Sequence, residues 1–86
     1  MEQTEANHHD EPAWLDNSSE ETRAFLAALL KRIDAVRRSK GWSEGYFGKK
    51  AGGDVGVVRS LRDTGRITVK NVARIERFLT DLEGAA

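Results

Sequence analysis

From about residue 18 onward, apolar residues recur every three or four positions, a period that belongs to helices rather than strands. Phe25, Leu26, Leu29, Leu30, Ile33 and Val36 share one face of a helix expected over about 19–39. Ser18 precedes it with Glu21 three positions on, the spacing of a capping box, and the early acids suit the positive end of the helix dipole. Gly41 is placed to stop it. Ser43 is placed to cap a short second helix over 44–51, where Phe47 and Ala51 are i, i+4 neighbours. Gly52-Gly53 ends that helix, and Asp54 is expected to cap a short third helix over about 55–62, with Val58 and Leu61 pointing one way. Asp63-Thr64-Gly65-Arg66 reads as a loop by its residue types. Thr68 is expected to cap a fourth helix, about 69–82, carrying Val69, Val72, Ile75, Leu79 and Leu82 at helical period, with Ala73 and Phe78 beside them. Ile67-Thr68-Val69 is the one strand candidate and is too short to convince. The expected fold class is all-α, with four helices, two of them very short.

Residues 1–17 break this pattern. They are polar, acidic and hold the only proline, Pro12. Such a stretch cannot bury enough apolar area to offset its ordering. A disordered acidic N-terminal arm over 1–17 is therefore expected ahead of a folded domain over 18–83. Trp14 and Leu15 interrupt the arm, and one of them is placed to staple the first helix by packing on its first turn. Charge sharpens the division. The 86 residues hold 14 acids and 14 bases, a neutral total. Residues 1–21 carry seven acids and no Lys or Arg, whereas residues 22–86 carry all 14 bases against the other seven acids. An acidic arm on a basic body points to nucleic acid or another polyanion.

Composition removes other classes. The chain has no cysteine, hence no disulfide, thiolate metal site or cysteine nucleophile. No apolar run approaches the roughly 18–20 residues that cross a bilayer. The acidic N-terminus lacks the apolar segment of a signal peptide. A cytoplasmic, nucleoid-associated protein with no membrane contact is expected. Domains of this size bury only about 60–65% of their unfolded surface, which leaves little room for a deep pocket. Paired acids, a metal cluster and an activated nucleophile are all missing: Ser43 and Asp54 are explained as caps, and His8-His9 lie in the arm. A binding module without cofactor or metal is expected rather than an enzyme.

Two short helices joined by a glycine turn, inside a basic body, have the form of a helix-turn-helix. That motif needs a small residue where the second helix crosses the first, and Gly48 stands there. It needs a residue tolerant of unusual φ four positions later, where Gly52 stands, and an aliphatic anchor six after that, where Val58 stands, with Leu61 three on. The segment Gly41-Trp42-Ser43-Glu44-Gly45-Tyr46-Phe47-Gly48-Lys49-Lys50-Ala51-Gly52-Gly53-Asp54-Val55-Gly56-Val57-Val58-Arg59-Ser60-Leu61 resembles the lambda-repressor-like helix-turn-helix family, of the phage repressor and Xre/Cro type. Arg32-Ile33 and Val36-Arg37-Arg38 resemble the end of that family's first helix, and the resemblance spans about residues 22–82. It implies a small domain of four or five helices and a sequence-specific, double-stranded-DNA-binding transcriptional regulator, with a recognition helix over about 55–62 in the major groove. It also implies homodimers on two-fold sites. One departure is Glu44, where the family commonly has glutamine beside a phosphate; a carboxylate there repels DNA unless it turns away. Gly45, Gly48 and Gly56 inside short helices each cost about 0.5–1 kcal/mol relative to alanine.

By position in the motif, Val55, Gly56, Arg59 and Ser60 face base edges. Arg59 can grip guanine O6 and N7 as a bidentate pair, Val55 can touch a thymine methyl, and Ser60 can bond a base or a phosphate. Lys49, Lys50, Arg62, Arg66 and Lys70 are the candidate phosphate contacts, which set register and affinity. The plainer reading of each cation is a solvated helix face. Trp42 and Tyr46 have the chemistry to stack on bases, but Trp42 is expected to close the core where the first two helices meet. A dimer is expected through the fourth helix around Phe78, Leu79 and Leu82, or through Trp14-Leu15. The acidic arm keeps the protein soluble, folds back on the basic face, or meets a protein partner such as RNA polymerase or a co-regulator. The alternative function is a protein-interaction module, antitoxin-like or adaptor, on the same helical fold.

Overall fold

Residues 13–84 are described by a computed structural model. In chain order they form β1 (Trp14–Leu15), α1 (Glu20–Lys40), α2 (Glu44–Gly52), α3 (Val57–Thr64), β2 (Ile67–Thr68) and α4 (Val69–Gly84). Four helices, two of them short, agree with the periodicity. The acids of residues 1–12 and His8-His9 lie outside the described residues.

Leu26, Leu29 and Ile33 of α1 are buried. Leu30 and Val36 flank them, partly buried against the core. Phe25 lies farthest around the helix from that stripe and stays 41% exposed. Phe47 of α2, Val57, Val58 and Leu61 of α3, Ile67 of β2, and Val72, Ile75 and Leu79 of α4 complete one apolar cluster. Trp42 closes the junction of α1 and α2, its ring 6.2 Å from Phe78 in a stacked arrangement and 6.5 Å from Phe47. Of the α4 residues expected to carry a dimer, Leu79 is fully buried and Phe78 lies under Trp42, while Leu82 is only partly buried.

Several boundaries differ from expectation, each for a local reason. Ser19, not Ser18, caps α1, its Oγ accepting from the Thr22 N–H at 3.1 Å. The Ser18 N–H instead donates to Asp16 Oδ1. Ser43 caps α2 as expected, accepting from the Tyr46 N–H. The left-handed residue after α2 is Gly53, with φ 76°, and not Gly52. Gly52 stays helical with the Arg74 side chain laid against it, and Arg74 donates to the Gly52 carbonyl. The third helix begins two residues later than expected, at Val57. Asp54 does not cap it: Asp54 Oδ1 accepts from the Gly56 N–H, tightening the turn, and Gly56 takes the cap position without a side-chain bond. Asp63 and Thr64 form the last turn of α3, and Gly65 in the left-handed region ends it. The segment 63–66 is thus half helix rather than loop.

The rejected strand is present. Ile67–Thr68 pairs antiparallel with Trp14–Leu15, with Trp14 opposite Thr68 and Leu15 opposite Ile67. The Val69 N–H extends the ladder by donating to the Ala13 carbonyl at 2.8 Å. The paired part of the expected arm thus reaches back to Ala13. Leu15 packs on the core from this strand, whereas the Trp14 ring lies against the Arg66 guanidinium. Thr68 also caps α4 as expected, accepting from the Asn71 N–H at 3.1 Å.

Candidate nucleic-acid interface

The turn between α2 and α3 sets how α3 is presented. The Asp54 carbonyl oxygen lies so close to the Gly48 Cα that a Cβ there would overlap it. The Asp54 N–H donates back to the Gly48 carbonyl. Gly53 supplies the positive φ that turns the chain. Asn71 of α4 then ties the turn down, its amide donating to Asp54 Oδ2 at 3.2 Å. With Val57, Val58 and Leu61 inward, the helical period leaves the opposite side of α3 outward.

Arg59 and Ser60 lie on that outward side, and Val55 and Gly56, ahead of the helix, are exposed as well. Val55 is 58% exposed and belongs to the turn rather than to the helix. The Arg59 side chain is 76% exposed and meets Asp63 one turn on at 3.6 Å, a loose surface pair.

The expected phosphate contacts divide. Arg62 is not free. Its Nε donates to Glu44 Oε2 at 2.7 Å and its NH2 to Asp34 Oδ1 at 2.8 Å. Asp34 also accepts from Arg37 at 2.8 Å. Burial alone would push the Asp34 carboxyl up, but hydrogen bonds from Arg62 and Arg37, with their charges, hold it below the usual carboxylate range. Its hydrogen bonds to Asp34 and Glu44, with their charges, hold the Arg62 guanidinium more firmly protonated than usual. Glu44 therefore turns toward Arg62, which joins α1, α2 and α3. Lys49 and Lys70 are exposed. Lys50 stands 5.7 Å from the Trp42 and Tyr46 rings.

Arg66 is held differently. Its guanidinium lies 4.3 Å over the Trp14 ring. The register explains the pair. Leu15 takes the core side of β1, so Trp14 must face out. Trp14 stands opposite Thr68, and Arg66, two residues back, is its diagonal neighbour on the same face. A groove of about 160 Å³ runs between this ribbon and the start of α3, lined by Trp14, Asp54, Gly56, Ser60, Arg66 and Asn71 among others. The structure thus brings Gly56, Ser60 and Arg66 together and adds Trp14, which residue spacing did not assign to the site. Asp16 lies close by. Its carboxyl sits below the usual range, chiefly through hydrogen bonds from Ser18 and to a smaller extent through the Arg66 charge.

Among the described residues there is no group of acids and histidines placed to hold a metal ion. No described helix is long and apolar enough to cross a membrane. Compared with protein-family models, curated proteins and solved structures, the chain finds no match.

Proposed function

We propose that this chain binds double-stranded DNA in a sequence-specific way and regulates transcription, with α3 in the major groove. The observation that carries the reading is the division of α3. One side is locked into the core by Val57, Val58 and Leu61, and the other presents Arg59 and Ser60 at an angle fixed by the Gly48–Asp54 contact. Eight residues of helix span about 12 Å, which suits a major groove about 12 Å wide. Arg59 reads guanine, Val55 and Gly56 approach the bases from the turn, and Ser60 bonds a base or phosphate edge. Lys49, Lys50, Arg66 and Lys70 hold phosphates. Arg62 gives up that role to fix α3 against α1 and α2.

The test is retention of fragmented genomic DNA by the purified protein at about 0.15 M salt, followed by sequencing. A shared motif supports the reading, and a palindromic motif adds a homodimer. Retention without a motif replaces it with architectural binding. No retention moves the weight to the protein-interaction module, with residues 1–12 as the first segment to delete.

A further inference from the structure

We infer that the β-ribbon is a second DNA-contacting element, in which Trp14 and Arg66 together clamp the sugar–phosphate backbone beside the groove that α3 reads. The inference rests on the proposed DNA binding and extends it to a residue outside the helix-turn-helix.

The largest apolar side chain of β1 is left 45% exposed, and its outward face is occupied by a guanidinium. Stacking differs from ion pairing in what it leaves available. Arg62 engages its Nε and NH2 with carboxylates. A guanidinium held over an indole by a cation–π contact commits none of its N–H donors to a carboxylate. Arg66 makes no ion pair with a carboxylate among the described residues. The contact therefore holds beside the groove a planar fork of the kind that matches a phosphate. The uncovered part of the indole offers an apolar surface to the adjacent deoxyribose. Position agrees with this role: Trp14 and Arg66 line the same groove as Gly56 and Ser60 of the α3 face. Lys70 follows two residues after the ribbon and extends the cationic edge.

The test uses the full chain and a mixed-sequence duplex of about 20 base pairs, two helical turns. Binding is read by anisotropy of a labelled duplex over a range of salt. Acrylamide quenching of tryptophan fluorescence is read with and without the unlabelled duplex. Trp14 is 45% exposed and Trp42 half-buried, and the Trp14→Phe chain reads the Trp42 share alone. The duplex should protect Trp14 from acrylamide. Trp14→Ala should weaken binding about two- to fivefold with the salt slope unchanged, because the charge stays while its platform goes. Trp14→Phe should recover most of the loss. Arg66→Ala should lower the slope by about one. A duplex that binds the wild-type chain while Trp14 stays fully quenchable overturns the ribbon contact and leaves α3 binding intact. That result decides the matter even if Trp14→Ala loosens the ribbon. A wild-type chain that binds no duplex overturns the ribbon contact and the proposed function together.

Discussion

Arg62 and Arg66 stand four residues apart, and residue type assigns them the same task. The fold separates them into two regions that hold their guanidinium groups in different ways. At the seam of α1, α2 and α3, Arg62 and Arg37 meet Asp34, and Arg62 meets Glu44 as well, so that cations and carboxylates answer one another. At the ribbon, Arg66 rests on an aromatic ring. The seam uses its charges to join three helices, and the ribbon presents its charge outward. Basic composition alone therefore overstates a binding surface. The informative quantity is which cations keep unengaged donors once the chain has folded.

The largest effect should come from breaking the seam. Asp34→Ala leaves two arginines without their shared carboxylate, and the Arg37 Nε is already buried without a hydrogen-bond partner. The expected loss is about 2 kcal/mol, read by urea or thermal unfolding. The next effect separates the two arginines directly. Arg62→Ala should cost about 1 kcal/mol of stability and change duplex affinity little. Arg66→Ala should do the reverse, with stability within about 0.5 kcal/mol of wild type and a shallower salt dependence of DNA binding. Equal behaviour of the two variants would erase the distinction.

Acid should act on the seam as well. The folded Asp34 carboxyl titrates below its unfolded counterpart, so it binds fewer protons folded than unfolded. Its stabilisation is therefore complete above the unfolded value near pH 4 and fades as pH falls through the folded value. Unfolding midpoints followed downward from about pH 5 should show this loss, and Asp34→Ala should flatten it. The smallest effect belongs to the loose surface pair of α3. Asp63→Asn should leave stability within about 0.5 kcal/mol and strengthen duplex binding slightly, since it removes a negative charge from the outward face.

The helices were legible because their signals are local. The i, i+3 and i, i+4 positions of Leu26, Leu29 and Ile33, the cap at Ser43, the stop at Gly41 and the cap at Thr68 all act within a few residues. The outward face of α3 followed from Val58 and Leu61 for the same reason. What the residues alone did not show depends on distant partners. Asp54 looks like a helix cap, but its two oxygens are taken by the Gly56 N–H and by Asn71, 17 positions on. Arg62 looks free until Asp34 and Glu44 arrive from 28 and 18 positions away. The two-residue strands carry no periodicity of their own, and each exists only because the other lies beside it. Trp14 joined the candidate site through that pairing, which no spacing rule within one segment reveals.

The proposed base reading by the outward face of α3 turns on Arg59. The most direct measurement compares wild-type and Arg59→Ala affinities for a duplex carrying the selected motif and for a scrambled duplex at the same salt. Arg59→Ala should lose about 1–3 kcal/mol on the motif and clearly less on the scrambled duplex, the signature of a lost base contact. Equal losses on both, or none on either, would contradict that reading.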